Sequence, residues 1–155
     1  MFAKAKEHLD KYGMGELVSE FGVSSATVSE AAVAVGVTEG EIAKTLSFLV
    51  DEKPILIVVA GDVKIDNAKY KARFRAKAKM IPFESVEELI GHAVGGVCPF
   101  GINEGVEVYL DESLRRFETV YPACGSSNSA VKMTVAQLEE ASLFIGWVDV
   151  CKSII

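Results

Sequence analysis

The sequence predicts a mixed α/β (α+β) chain: a central mixed, largely antiparallel β-sheet flanked by helices. Three observations carry that reading. Two apolar runs, 45–50 and 54–60, are separated only by Asp51-Glu52-Lys53, which is the signature of a hairpin of buried strands. Capped helical segments and strand-like segments interleave irregularly, and several connections are short enough for antiparallel pairing. The chain has 155 residues, 50% of them apolar, with no repeat, low-complexity tract or Pro/Gly/Ser linker, so one core and one domain over 1–155 are expected.

Each element follows from local pattern. Residues 2–12 place Phe2, Ala5 and Leu9 on one helical face, and Gly13 and Gly15 end the segment. Residues 16–21 suit a strand. Ser25 or Thr27 caps a helix over 28–35 that stops at Gly36. Thr38 and Glu41 have the spacing of a capping box for a short helix. After the 45–60 hairpin, 66–74 reads as a basic helix and 77–81 as a short strand. Ser85, with Glu88 three residues on, caps a helix ending near Gly91. The glycine-rich stretch 91–105 is loop or tightly turned strand. Strands are expected at 106–110, 119–124 and 130–133, and a helix capped by Thr134 at 134–141. The tail 143–155 carries Phe144, Ile145, Trp147, Val148 and Val150, too apolar for a free end; it packs back on the core or forms a dimer contact, and the oligomeric state stays open.

Composition excludes several classes. A mean hydropathy of +0.27 rules out intrinsic disorder. The longest apolar run spans 54–60, far short of the ~20 residues of a membrane-crossing helix. Charged residues in 1–11 argue against a signal peptide. Three widely spaced cysteines, Cys98, Cys124 and Cys151, point to free thiols in a reducing cytoplasm. Neither these cysteines nor His8 and His92 have metal-ligand spacing, and no Walker, dinucleotide or Gly-x-Ser-x-Gly motif exists, so no metal or cofactor is expected. The net charge of −6 argues against a general nucleic-acid coat protein, yet residues 64–79 hold seven basic residues against one acid. Such a patch either binds a phosphate backbone or is a solvated helix and sheet edge. Residues 27–45 resemble a helix-turn-helix, but the second helix would open with Glu39-Gly40-Glu41, two carboxylates where base edges and phosphates must be met, so specific DNA recognition is not expected.

Three features remain. Lys44 enters an apolar strand, where a lysine either lines a cleft or snorkels outward. The segment GHAVGGVCPFG (91–101) permits close backbone approach to a ligand, or is a plain turn. The segment GSSNSA (125–130) offers hydroxyl and amide groups to a pocket, or is a polar hairpin loop.

Taken together, AAVAVGV (31–37), EIAKTLSFLV (41–50), VVAGDVKIDNAKYKA (58–72), KAKMIPFESVEELIGHAVGGVCPFG (77–101) and VYPACGSSNSAVKMTVAQLEE (120–140) resemble the YbaK/ProX-type aminoacyl-tRNA editing domain, which is also found inserted in or associated with prolyl-tRNA synthetases. The resemblance implies that fold and a trans-acting hydrolase. Such a hydrolase removes a small amino acid, typically alanine or cysteine, from the 3′ end of mischarged tRNA, notably tRNA for proline. It implies that Lys44 is the essential lysine, that the glycine–proline loop maps onto Gly95, Gly96 and Pro99, and that the polar segment maps onto Gly125, Ser126, Ser127, Asn128 and Ser129.

An aminoacyl ester is already activated, so water or the substrate's own thiol can attack it, and positioning and oxyanion stabilisation suffice. On that reading Lys44 anchors the terminal ribose or phosphate, the Gly95-Gly96 backbone approaches the aminoacyl group, and Ser126 and Asn128 supply hydrogen bonds. Lys64, Lys69, Lys71 and Arg73 contact the tRNA backbone. His92 either donates to the substrate or caps the preceding helix, and Cys98 is expected to be a packed thiol rather than a nucleophile. Partners are then tRNA and, as a second candidate, prolyl-tRNA synthetase. The competing readings are a non-catalytic tRNA- or synthetase-binding module of the same fold and a DNA-binding regulator.

Overall fold

A computed structural model describes residues 1–154; Ile155, the end of the predicted tail, lies outside the described residues. Helix α1 (Phe2–Asp10) is followed by a 3₁₀ turn and the short strand β1 (Val18–Glu20). Helix α2 (Val28–Val35) is capped by Thr27, whose hydroxyl accepts the Glu30 N–H at 3.1 Å, and ends at Gly36 with φ +85°. The Thr38/Glu41 spacing yields a single 3₁₀ turn, the Glu41 carboxylate accepting both the Thr38 N–H (3.1 Å) and hydroxyl (2.9 Å). Then come β2 (Ile42–Val50), β3 (Lys53–Ala60), β4 (Val63–Ile65) and α3 (Asn67–Phe74). Helix α4 (Phe83–Ile90) precedes the glycine-rich loop, and β5 (Glu107–Asp111), a 3₁₀ turn (Glu112–Arg116) and β6 (Thr119–Pro122) follow it. The chain closes with β7 (Ser129–Val131), β8 (Met133–Thr134), α5 (Val135–Ser142), β9 (Gly146–Val148) and β10 (Cys151–Ser153).

The central sheet has the order β8-β6-β2-β3-β5-β9. It is mixed. Its longest ladder, β2/β3, is antiparallel, as is β6/β8, while β2/β6, β3/β5 and β5/β9 are parallel. Two small antiparallel pairs, β1/β7 and β4/β10, complete it. Ile55, Leu56, Ile57, Val58, Val59 and Ala60 are all buried, because β3 sits in the middle of the sheet with both faces covered. On one face α3 is anchored by an aromatic chain: Tyr70 meets Phe48 of β2 (5.2 Å) and Phe74 (4.8 Å), and Phe74 meets Tyr109 of β5 (5.2 Å). Helix α2 is not part of that core; it rests on a separate small cluster of Ala31, Ala32 and Ile42. The tail packs back as expected, with Val150 and Cys151 buried and β10 paired to β4. No helix among the described residues is long and apolar enough to cross a membrane.

Three local expectations are corrected. Strand β2 begins at Ile42 rather than Thr45, so Lys44 is its third residue and not its entry. Ser85 does not cap α4: Pro82 holds the N-cap position, and the Ser85 N–H bonds to the Pro82 carbonyl. Residues 77–81 form one bridge, Met80 to Phe48, instead of a full strand. The hairpin itself closes on two residues, since Lys53 already pairs with Val50. Asp51 (φ +50°) and Glu52 (φ +65°) both lie in the left-handed region that a type I′ turn demands and that Asn-Gly fills best. Replacing Glu52 by glycine is therefore expected to raise stability by about 0.5–1 kcal/mol, read as a higher urea midpoint at unchanged slope.

Candidate functional site

The site arises where β2 loses its outer neighbour. On the edge opposite β3, β6 pairs only with Ile42 and Ala43. Its ladder stops at Pro122, which has no N–H to continue it. Farther along the same edge the 79–81 backbone takes over: Leu49 N–H bonds to Lys79 O (2.9 Å) and Ile81 N–H to Ser47 O (3.1 Å). Residues 44–46 face the gap between these partners. A cavity of about 430 Å³ lies there, floored by residues 42–47 and walled by the start of α2, by Met80, Ile81 and Phe83, by Val94, Gly95 and Val97 of the glycine loop, and by Tyr121 and Ala123. Its lining is mostly apolar, and among the described residues Lys44 is its one charged lining side chain.

Lys44 is half-buried, and its ammonium donates to the Val63 carbonyl at 2.5 Å. Burial pulls its pKa below the ordinary 10.5, opposed by Cys151, Asp62 and Glu39. The Cys151 thiol is itself pushed up to about 12 by burial, so at neutral pH it stays protonated and offers Lys44 no charge. Beside Lys44, the Thr45 hydroxyl is buried without a protein partner and belongs to the cavity lining.

The glycine loop and the polar segment meet. A Cβ on Gly96 would lie 2.5 Å from the Ser126 nitrogen and 2.6 Å from the Gly125 carbonyl carbon, so only glycine allows the two backbones to touch. Gly95 (φ +98°) packs near Ala26 and Ser127 and lines the cavity. The Gly96 N–H is committed to the Ala93 carbonyl (3.1 Å), and Gly95 rather than Gly96 lines the cavity. Within the polar segment, Ser126 bonds Asn128 (3.1 Å) and Ser129 (2.7 Å), and the Asn128 amide donates to Phe21 O (3.0 Å). Ser126 and Asn128 thus hold the loop's shape. Ser129 and Ser25, rather than Ser126, Ser127 and Asn128, line the cavity.

Two expected site residues stand elsewhere. Pro99 is buried and borders a second, smaller cavity of about 240 Å³ beside His8. His92 is fully buried, donating through Nε2 to Phe100 O at 2.6 Å, with Cys98 Sγ at 3.6 Å and Nδ1 unpartnered. The loop is divided in two: its front, 94–97, faces the cavity, while its back, 98–101, is fastened to α1 and α5 through His8. The His8 ring accepts the Gly101 N–H (3.1 Å) and donates to Ala141 O (2.6 Å). Cys98 is a packed thiol, pushed up to about 12 by burial. Among the predicted backbone contacts, Lys64 and Lys71 are exposed, Arg73 lies over the Phe74 and Tyr109 rings (5.1 and 5.4 Å), and Lys69 is tied to Asp149 (3.1 Å) and Cys151 O (2.9 Å).

Residues 23–141, which include every residue of the larger cavity, match the family described as the aminoacyl-tRNA editing domain. The chain belongs to that family. Over 148 residues it is 50% identical to the uncharacterized protein YwhH of Bacillus subtilis (strain 168), covering 95% of this chain and 94% of the relative. Over 101 residues it is 30% identical to proline–tRNA ligase of Bacillus cytotoxicus, covering 64% of this chain but only 18% of the ligase. The crystal structure of a candidate trans-editing enzyme for prolyl tRNA synthetase superposes with a TM-score of 0.87 at 31% identity, over 98% of this chain and 97% of that one.

In this editing domain the cavity walls supplied by α2, Tyr121 and the Met80–Phe83 region were not identified from sequence. No spacing rule links them, since they converge only through the gap in β2. The helix-turn-helix likeness drew attention to α2 but for a different chemistry.

His92 gives a stability test. Burial lowers its pKa below 6.5, because protonating Nδ1 would bury an unpaired charge. The unfolded chain then takes the proton more readily than the native state. Stability is complete above 6.5 and declines below it until the native pKa is reached. Urea unfolding between pH 7.5 and 5 is expected to show that decline, and His92→Gln to flatten it.

Proposed function

We propose that this editing domain is a freestanding trans-editing deacylase that hydrolyses the ester of a small amino acid, such as alanine or cysteine, wrongly attached to tRNA, tRNA for proline foremost. The observation that carries the reading is Lys44: a half-buried ammonium at the open edge of β2, inside a mostly apolar cavity that lies wholly within the family-matched span. The likeness to part of proline–tRNA ligase and to the candidate trans-editing enzyme supports the choice of tRNA, with prolyl-tRNA synthetase as a second candidate partner. Both partners belong to the cytoplasm.

The chemistry asks little of the protein. Water adds to the ester carbonyl, the bond to the ribose oxygen breaks, and the proton from water ends on that oxygen as the 3′- or 2′-hydroxyl. For a cysteinyl ester the substrate thiol can take the place of water. Of the three N–H donors on Lys44, Val63 O takes one. The others are free to bind the terminal ribose or phosphate and fix the ester. The Gly95 backbone then faces the aminoacyl group, stabilising charge that develops on its carbonyl oxygen in a site of low polarity.

Release of amino acid from alanyl- and cysteinyl-tRNA for proline, with prolyl-tRNA as control, tests this. Multiple turnovers on one mischarged species, lowered about 10²-fold or more by Lys44→Ala, are expected. Wild-type protein that binds tRNA but never turns over would make it a binding module.

The basic stretch has its own test. Lys64 follows the residue that holds Lys44, and Lys71 is exposed on α3, whereas Lys69 is already engaged by Asp149. Reversing Lys64 and Lys71 to glutamate should flatten the slope of log affinity for tRNA against log salt by roughly 0.7–0.9 for each phosphate no longer neutralised. An unchanged slope would remove this face from the tRNA footprint.

A further inference from the structure

Large apolar side chains exposed one at a time are ordinary on protein surfaces. Here three of them converge on one opening. Phe83 is 76% exposed, Met80 58% and Val94 48%, and all three line the cavity that holds Lys44. They come from separate places: Met80 from the bridge to Phe48, Phe83 from the first position of α4, and Val94 from the glycine loop. The rim is therefore apolar while the floor carries a cation. Cations flank the Met80 side of the rim, while exposed Glu84 follows Phe83 on the helix. Lys77 and Lys79 are exposed immediately before Met80, and the nearest acid to Lys79 is Glu52 at 3.9 Å, itself in open solvent.

An apolar, partly aromatic rim flanked by lysines suits a flat uncharged ring carried on an anionic chain. It suits a second copy of this chain poorly, because the same lysines would face each other. A small aminoacyl group alone would also leave most of a 430 Å³ cavity unfilled.

We propose that Met80, Phe83 and Val94 form a nucleobase subsite, with the Phe83 ring stacked on the base of the 3′-terminal nucleotide whose aminoacyl group enters the cavity toward Lys44. The identity of that nucleotide rests on the deacylase reading above. The subsite itself rests on the exposed rim and its flanking charge.

The test uses two stable probes and equilibrium binding. One is 3′-deoxy-3′-(L-alanylamino)adenosine, whose amide resists hydrolysis; the other is the same compound with hydrogen in place of the base. Wild type should bind the first more tightly by about 5- to 150-fold, the range of base–aromatic stacking. Phe83→Ala should remove most of that difference without changing affinity for the baseless probe, and Phe83→Trp should restore it. Because Phe83 is exposed, the variants should unfold at the wild-type midpoint.

Equal affinity of wild type for both probes, binding of neither, or undiminished adenosine binding by Phe83→Ala would overturn the subsite. So would a wild-type dimer in sedimentation that Phe83→Ala converts to monomer with probe binding intact, since the rim would then be a self-interface. The two readings fail separately. Base-dependent binding through Phe83 without release of amino acid from any mischarged tRNA would keep the subsite and remove the deacylase. Turnover of mischarged tRNA with an unchanged KM in Phe83→Ala would do the reverse.

Discussion

Holding an ammonium half out of water at the open edge of a buried strand is the demand to which much of the fold answers. Desolvation works against the charge on Lys44; the nearby Asp62 and Glu39 oppose it, and the one hydrogen bond the ammonium makes is to the Val63 carbonyl. A carbonyl can do this only if its turn is fixed, and the turn between β3 and β4 is fixed from several sides. The Ala60 N–H bonds to the Ser113 hydroxyl (3.1 Å), and Arg116 reaches Asp62 through two nitrogens (3.0 and 2.5 Å) while its Nε holds the Ser113 carbonyl (2.9 Å). Buried Asp111 anchors the far side, accepting the Ser113 and Val150 N–H groups at 2.9 Å each. Two glycines make the closeness possible. A Cβ on Gly61 would collide with the Glu39 carbonyl, and one on Gly40 would sit 2.7 Å from the Phe117 ring. The Asp62–Arg116 pair is partly exposed, so its direct contribution to stability is small; its consequence is geometric, through the carbonyl next to it.

The same logic explains why the cavity is where it is. A central strand normally has both edges paired, and β2 departs from this only at residues 44–46. Pro122 ends the β6 ladder on one side of the gap, and the Met80 bridge begins on the other. Closing the gap with another strand would have covered Lys44 completely. Filling it instead with the Gly95-Gly96 turn, backbone against backbone with Gly125-Ser126, leaves a mostly apolar hollow with one charge at its floor. In such surroundings a lone charge acts with little competition from water, which is what the anchoring role proposed for Lys44 needs.

Much of this was legible in the sequence, and the limits have physical causes. The hairpin, α2, α3 and α5 were readable because their signals are local: alternating or continuous apolar runs, the run of basic residues in α3, and side-chain caps at Thr27 and Thr134 that the structure confirms by hydrogen bonds; the Asp66 cap of α3 emerged only in the structure. Ser85 misled because its position mimics a cap that Pro82 already occupies. In the site, Lys44, Gly95 and Gly96 stood out because a lysine in an apolar run and paired glycines are costly unless used. His92 and Pro99 lie in the same loop as Gly95, but the chain turns between them, and sequence adjacency does not report which half of a loop faces inward. The cavity walls from α2 and Tyr121 were invisible, because residues that meet only across a gap between strands share no period and no spacing.

One segment ties these parts together. Residues 63–83 begin with the carbonyl that holds Lys44, continue through the basic helix α3, and end at the exposed rim of the same cavity. Both ends of that segment reach the site because its middle is pinned to the sheet by Tyr70 and Phe74 on Phe48 and Tyr109. Phe48 belongs to β2 and also bridges to Met80, so one aromatic side chain and its backbone link the basic helix, the cavity floor and the rim. The positive stretch that composition alone left ambiguous, a phosphate surface or a solvated edge, is thereby joined at both ends to the cavity that holds Lys44. On the deacylase proposal, that is the surface an anionic chain would cross on its way to Lys44; the aromatic anchor beneath it is the apolar face by which α3 packs on the core.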